Sequence, residues 1–388
     1  MKRVYMDYSA TTPMKPEIIE LMTDMMKNNF GNASSIHSYG QEAKVLLQKA
    51  REQVASSIGA EAREVFFTSG GTESDNWAIH IATESKEGKH IVTTNVEHHA
   101  ILHPLEALEK KGYDVTYLPV DEYGMVTPEQ VQEALREDTI LVSIIYVNNE
   151  IGSINPIEDI AKVVKEKGIL FHTDAVQALA NVPLNMKESS IDMMSISSHK
   201  IYGPKGVGAL FIRKGVKINP LIHGGAQERR VRAGTENIPA IVAFGRAAEM
   251  AQENLEEHIT RLTAMRDRLR DGILNAIPDT KYNGHPEKRH PGNVNVCFKY
   301  IEGESILLLL DMKGISGSSG SACTSGSLDP SHVLMNIGLK HDIAHGSLRL
   351  SIGDLTTEED IDYVIETLPP IIERLREMSP LYEDRDKE

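Results

Sequence analysis

Cysteine is nearly missing. Cys297 and Cys323 are the only two in 388 residues, too few for the disulfide framework that holds small secreted domains together, so each must be read separately. Positive charge is also in short supply. Lys plus Arg number 41 against 56 for Asp plus Glu, a net charge of −15, which works against binding phosphate backbones or anionic lipid. The expectation is therefore no direct nucleic acid and no membrane as partners. No stretch approaches the ~20 apolar residues of a membrane span, and the opening MKRVYMDYSATTP lacks the apolar core of a secretion signal. These absences predict a cytoplasmic protein. Internal repeats are lacking too. With 40% apolar and 25% charged residues, the composition is that of an ordinary globular chain rather than a disordered, collagenous or coiled-coil one, and its length suits two or three domains.

Between residues 60 and 213, short apolar runs alternate with helix-period segments. VFFTS precedes a helix from Thr72, HIVTTNV a helix from about His99 to Lys111, and DVTYLPV the segment PEQVQEALR. TILVSIIYVNN then leads into PIEDIAKVVKEKG, and ILFHTDAVQ, MMSISSHK and VGALFIR follow as further strand-like runs. Continuous Val/Ile runs between amphipathic helices predict an α/β domain with a mostly parallel sheet covered on both faces. A long helical pattern spans about Ile238 to Ile277, after which the rhythm changes to NVNVCFK, ESILLLLDMKG, SLRLSIG and a last helix from about Thr357. This second part reads as a smaller α+β domain. Pro369 and Pro370 should break or kink that last helix. GISGSSGSACTSGS, residues 314 to 327, has almost nothing to bury, and predicts a mobile loop carrying Cys323.

Four segments can carry chemistry. In SSHKIYGPKG, Lys200 ends an apolar strand ahead of two glycines. Partial desolvation there lowers an amine pKa and suits it to act as base or nucleophile, although a solvated turn lysine accounts for the segment equally well. In HTDAVQ, Asp174 also ends an apolar strand; if buried it needs a cation such as a protonated pyridine nitrogen, and otherwise it caps the following helix. TSGGTESDN opens a helix after two glycines, which makes a reasonable phosphate cradle, while its acidic residues fit ordinary first-turn capping and neither nucleotide-loop pattern is present. VEHHAILH holds His98, His99 and His103. The spacing of His99 with His103, like that of His341 with His345, allows zinc, but without a third ligand or an HExxH context no metal is expected. A strand-end lysine, a strand-end aspartate about 26 positions earlier and a glycine-opened helix start together form the set that pyridoxal phosphate requires.

The chain resembles the cysteine desulfurases (NifS/IscS-like) among the class V, fold-type I pyridoxal-phosphate enzymes. The likeness runs from MDYSATTP through GNASSIH, TSGGTESDN, VEHH, VNNEIG, HTDAVQ, SSHKIYGPKGVGAL, HGGAQERRVRAGTEN and GSACTSGSLDPSHVL to SLRLSIGDLTTEED. It implies a large α/β domain over 14–255 with a seven-stranded sheet, and a small α+β domain made of 1–13 and 256–388. It also implies pyridoxal 5'-phosphate bonded to Lys200, with Asp174 on the pyridinium nitrogen, Gln177 on the ring oxygen, and His98 stacking on the ring and moving protons. The phosphate would meet Gly71, Thr72, Ser197 and His199, joined by Thr235 from the other subunit of a homodimer. Asn149, also among the implied cofactor-binding residues, and Arg349 match positions that hold the substrate carboxylate, where the planar Arg fork is apt. Cys323 matches the thiol that becomes a persulfide and is a candidate ligand for a transferred iron–sulfur cluster. Ala233 stands where Ser is common and Ala226 where Gly is common.

The activity so implied converts L-cysteine to L-alanine and passes sulfur through Cys323 to an acceptor protein such as an iron–sulfur scaffold. Selenocysteine lyase, a transaminase or another class V pyridoxal-phosphate enzyme is the alternative, and a cofactor-free scaffold presenting its loop is a further one. Cys297, inside NVNVCF, reads as a packed core residue.

Overall fold

A computed structural model describes residues 2–319 and 330–383. Its twelve strands are β1 (Val4–Tyr5), β2 (Val65–Thr68), β3 (His90–Thr94), β4 (Asp114–Leu118), β5 (Thr139–Ser143), β6 (Leu170–Asp174), β7 (Met193–Ser197), β8 (Gly208–Ile212), β9 (Thr280–Tyr282), β10 (Asn293–Phe298), β11 (Ile315–Ser316) and β12 (Ser347–Ser351). Seven of them form one sheet in the order β2-β8-β7-β6-β5-β3-β4. Only β8 runs antiparallel to its neighbours.

The apolar runs are buried on both faces because helices cover both. On one face, helices Pro16–Asn28, Ser38–Ser57, Ile157–Glu166 and Ile238–Glu253 contribute Ile18, Leu47, Val54, Ile160, Val164 and Phe244 to a core shared with Phe67, Val142, Phe171 and Phe211. On the other, helices Gly71–Ser85 and His99–Glu109 contribute Trp77, Ile81, Ile101 and Leu105 over Phe66, Ile91, Leu141 and Leu210. Because successive residues of a strand point to opposite faces, each strand feeds both cores. A third core lies around the three-stranded sheet β12-β10-β9 and joins Val4, Met6, Leu269, Val296, Leu350, Ile361 and Leu368. Strands β2, β3, β5, β6 and β7 all end at the same edge of the large sheet, where open α/β sheets bind ligands.

Three expectations change. The helical pattern over 238–277 is two helices, Ile238–Glu253 and Leu255–Ala276, broken at Asn254, which leaves helical geometry with φ −136° and ψ 31°. Pro369 and Pro370 do not end their helix, which runs through from Glu358 to Glu377. A proline inside a helix costs ~3 kcal/mol, but five buried apolar residues, Ile361, Val364, Leu368, Ile371 and Ile372, contribute roughly 1.5–3 kcal/mol each and hold the turns on either side. The segment expected to be a mobile loop begins with fixed structure: β11 pairs with β1, and Ser318 bridges Arg349. The rest of it, including Cys323, lies outside the described residues.

Candidate active site

Two strand ends, those of β6 and β7, meet the N-terminal segment. After β7 the chain turns through Ser198–Lys200, and the Lys200 ammonium donates to the carbonyls of Ser9 and of Ala10, the latter at 2.7 Å. Gln177, just beyond β6, donates its amide to the same Ser9 carbonyl at 2.8 Å. His199 meets Thr11 Oγ1 at 3.1 Å through Nδ1, and its carbonyl accepts the Thr12 hydroxyl at 2.9 Å. Residues 9–12 therefore fasten Gln177, His199 and Lys200 in one place.

Asp174 closes β6 and is buried, 5% exposed. Its Oδ1 accepts the Val176 N–H at 2.9 Å, so it does make the local turn contact open to it, yet no ion pair to it forms among the described residues. His98 opens the helix His99–Glu109 by accepting the Ala100 N–H on Nδ1 at 3.1 Å; in the neutral ring the proton then sits on Nε2. One donor atom from each of Asp174, Asp75 and His98 lies within 4.8 Å of the others. Burial raises both carboxyls and lowers His98. Two such acids in a dry pocket do not both ionise. At Asp75 burial and the neighbouring Asp174 oppose the charge, with a Ser195 hydrogen bond offsetting part of it, whereas at Asp174 His98, the Val176 N–H and Lys200 all offset the burial.

The helix Gly71–Ser85 starts without a side-chain cap at Gly70, leaving its first amides for a ligand. Glycine is required there. Gly70 has φ 156°, and a Cβ on Gly71 would stand 2.7 Å from Val176 Cγ2. Gly71 also lies beside Ser197, whose Cβ is 3.9 Å from that same position, and Thr72 follows it in the first turn. Of the acids once attributable to capping, Glu73 does accept the Ser69 N–H at 2.7 Å and also pairs with Arg232 at 2.8 Å. Asp75 is instead buried at 1% exposure, with Oδ1 unpartnered and 3.7 Å from His172 Nε2.

Arg349, on β12, is buried and donates to the Asn149 carbonyl and to Asp7 Oδ1, both at 3.0 Å, while its Nε has no partner. Arg349 and Asn149 are thus brought together. Thr235 is not brought to the site: it is exposed in the single chain, three residues beyond the Arg232 that grips Glu73. Cys297 is fully buried in β10 and accepts from Asn283 at 3.2 Å, and burial pushes its thiol up to about 11. His99 and His103 stack at 4.7 Å, and His341 meets His345 at 4.4 Å. Among the described residues, Asp75, His98 and Asp174 are the only group of three or more potential metal donors so close together.

Several contributors carry no signal in the sequence. Asp7 and the Ser9 and Ala10 carbonyls act on side chains 168 to 342 positions away. Glu97 is fully buried, accepting the Thr94 hydroxyl at 2.7 Å and the Ile145 N–H at 3.0 Å on Oε1 with Oε2 unpartnered, and burial pushes it up to about 8.

These residues suit pyridoxal phosphate: an uncapped helix start with room made by glycines, a buried carboxylate in no ion pair among the described residues, and a lysine at the same sheet edge. The class-V aminotransferase family model matches residues 4–364. A cysteine desulfurase IscS of Clostridium botulinum is 57% identical over 99% of this chain and 98% of its own length, and one of Methanosarcina thermophila is 56% identical over 98% and 94%. Among solved structures, a NifS-like protein superposes with a TM-score of 0.91 at 39% identity over 96% of this chain and all of its own. A NifS-like protein of Rickettsia africae gives a TM-score of 0.87 at 31% identity over the same shares. The chain belongs to the class-V aminotransferase family and, within it, to the pyridoxal-phosphate-dependent cysteine desulfurases.

Proposed function

We propose that the protein takes sulfur from L-cysteine, releasing L-alanine, and carries it as a persulfide on Cys323 to an acceptor protein such as an iron–sulfur scaffold. The convergence of Lys200, Asp174 and the uncapped start of the helix Gly71–Ser85 at one sheet edge carries the reading. Lys200 would hold the cofactor, Asp174 would face its ring nitrogen and Gln177 its ring oxygen, and Gly71, Thr72, Ser197 and His199 would receive the phosphate. When bound, pyridoxal phosphate supplies an electron sink for charge developing at the substrate Cα.

The remaining work belongs to the chain. Arg349 and Asn149 orient the substrate carboxylate. Lys200, once its amine is free, takes the Cα proton, and the Ser9 and Ala10 carbonyls stabilise the ammonium that results. The Nε2 proton of His98 is available to the reacting groups. The Cys323 thiolate attacks the substrate sulfur: an S–S bond forms, the Cβ–S bond breaks with its electron pair passing to the carbon skeleton, and protonation of that skeleton gives alanine.

A homodimer fits this reading, with Thr235 reaching the partner's phosphate site. Six large apolar residues within 19–45, Ile19, Met26, Phe30, Ile36, Tyr39 and Val45, are exposed on the single chain, up to 94% at Ile36, with Phe30 and Tyr39 stacked, and exposed apolar groups that cluster favour a partner. A division into 14–255 and 1–13 plus 256–388 is supported by the helix break at Asn254 and by the separate core around β10 and β12. No helix among the described residues is long and apolar enough to cross a membrane. The test is to reduce the loaded enzyme with borohydride and map the cofactor, expected on Lys200, then add cysteine to unreduced enzyme and trap persulfide by alkylation, expected on Cys323. Label on another lysine, or persulfide on Cys297 alone, would refute the assignment.

A further inference from the structure

The two chain stems that bracket residues 320–329 are pinned to one place. Upstream, Ser318 exchanges both backbone hydrogen bonds with Arg349, at 3.0 and 2.6 Å. Downstream, the buried Ser331 donates its hydroxyl to Glu150 Oε2. Its oxygen meanwhile accepts the Val333 and Leu334 amides at 3.1 and 3.4 Å, starting the helix His332–Asn336. A hydroxyl has one proton and two lone pairs. With both lone pairs engaged, Ser331 can only donate, so its partner must be an acceptor at that point, as the carboxylate oxygen is.

Glu150 is itself immobile. Its N–H donates to Asn148 Oδ1 at 2.9 Å, and its carbonyl accepts the Asn293 and Asn295 side-chain amides at 3.2 and 3.0 Å. It directly follows Asn149, whose carbonyl accepts Arg349 Nη1 at 3.0 Å. Burying a carboxylate is costly, and an apolar residue of similar size would fill the space at lower cost. Burial pushes the Glu150 carboxyl up to about 7, and what offsets it is the Ser331 hydrogen bond and the nearby Arg349 charge.

We propose that Glu150 is a positioning residue for sulfur transfer, fixing the downstream stem of the Cys323-bearing segment to the same chain turn that seats the substrate-carboxylate arginine. With Ser318 fixed to Arg349 on the other side, both described flanks of the segment are anchored where the substrate carboxylate would be held. This rests on the reading that Cys323 accepts the sulfur. A displacement of 1 Å in a reacting group can cost on the order of 100-fold in rate, so release of one stem should be felt in the transfer step and little in substrate binding.

The experiment uses full-length, pyridoxal-phosphate-loaded wild type, Glu150→Ala and Glu150→Gln. Cysteine binding is read from the change in cofactor absorbance, transfer from single-turnover persulfide formation on Cys323 by alkylation and mass spectrometry, and stem order from hydrogen exchange at Val333 and Leu334. Glu150→Ala should bind cysteine within about threefold of wild type, form persulfide at least roughly tenfold more slowly, and exchange faster at both amides. Glu150→Gln keeps an acceptor oxygen for Ser331 and should match wild type in all three readouts. If Glu150→Ala does not fold, Ser331→Gly removes the same contact from the other side, glycine being a tolerable helix cap, and should reproduce the slow transfer. A transfer rate unchanged in the variant that folds, an equal loss of binding and transfer, or unchanged exchange would overturn the proposal while leaving the desulfurase reading intact. Absence of persulfide from wild-type Cys323 would overturn both.

Discussion

Replacing Arg349 by Gln should cost the enzyme its hold on the substrate carboxylate. The guanidinium has five N–H donors; one goes to the Asn149 carbonyl, one to Asp7, and Nε has none of its own, so two or more remain for a ligand. Two charge-assisted hydrogen bonds at about 1.5 kcal/mol each total about 3 kcal/mol, or roughly a 150-fold weakening of cysteine binding at 1.4 kcal/mol per tenfold. Asp7 also loses its partner in the variant, but its side chain is 21% exposed and water can replace the lost bond, so the site should persist. Cysteamine separates the two effects, since it keeps the amine and thiol and lacks the carboxylate. Titration of each compound into the loaded enzyme, followed by cofactor absorbance, should show cysteine binding roughly 150-fold more weakly to Arg349→Gln and cysteamine within a few-fold of wild type. Equal losses for both compounds would mean that Arg349 shapes the pocket rather than reading the carboxylate, and the assignment would be wrong.

Native Cys297 should resist iodoacetamide at pH 8, where a thiol pushed up to about 11 is almost wholly protonated, and react once the protein is unfolded; mass spectrometry after timed quenching decides. Glu228→Ala strands the buried Arg51 guanidinium, which it holds by two bonds of 2.7 and 2.6 Å, and leaves the Phe67 amide without its 3.0 Å acceptor; urea titration should show a loss of about 3–5 kcal/mol, and a loss below about 1 kcal/mol would contradict the burial argument. Burial alone would raise the Asp354 carboxyl, but hydrogen bonds from His258 and Lys15, each at 2.7 Å, hold it well below the usual range. A group depressed in the folded state stabilises above its unfolded pKa of ~4 and loses that contribution as pH falls, so Asp354→Asn should lower stability at pH 7 more than at pH 3 in parallel melts.

Much of the large domain is legible in its sequence because strands buried on both faces must be continuous apolar runs, and the helices between them carry their own period. Lys200 and Asp174 could be found for the same reason, as polar residues ending such runs. Other features depend on what lies far off in the chain. Nothing near Asp75 distinguishes it from a capping acid like Glu73, two positions away; only the sheet packed against its helix makes it a buried group. The break at Asn254 is hidden because amphipathic spacing continues on both sides, and Pro369 and Pro370 mislead because tertiary burial outweighs their local cost. Asp7 and Ser9 show no pattern because the groups they hold arrive hundreds of residues later.

That delay matters for synthesis. The N-terminal segment pairs β1 with β11, gives Asp7 to Arg349 342 positions away, and gives the Ser9 and Ala10 carbonyls to Lys200. At translation speeds of about 5–20 residues per second, the first dozen residues wait on the order of 10 to 40 s for Lys200 and 20 to 70 s for β11 and Arg349 to be made. The large sheet can form in that interval, since its seven strands lie between residues 65 and 212. The oldest part of the chain is therefore among the last to dock, and its docking delivers the carbonyls that Lys200 needs. A nascent enzyme can have its sheet assembled and still lack a finished catalytic centre until its own beginning returns to it.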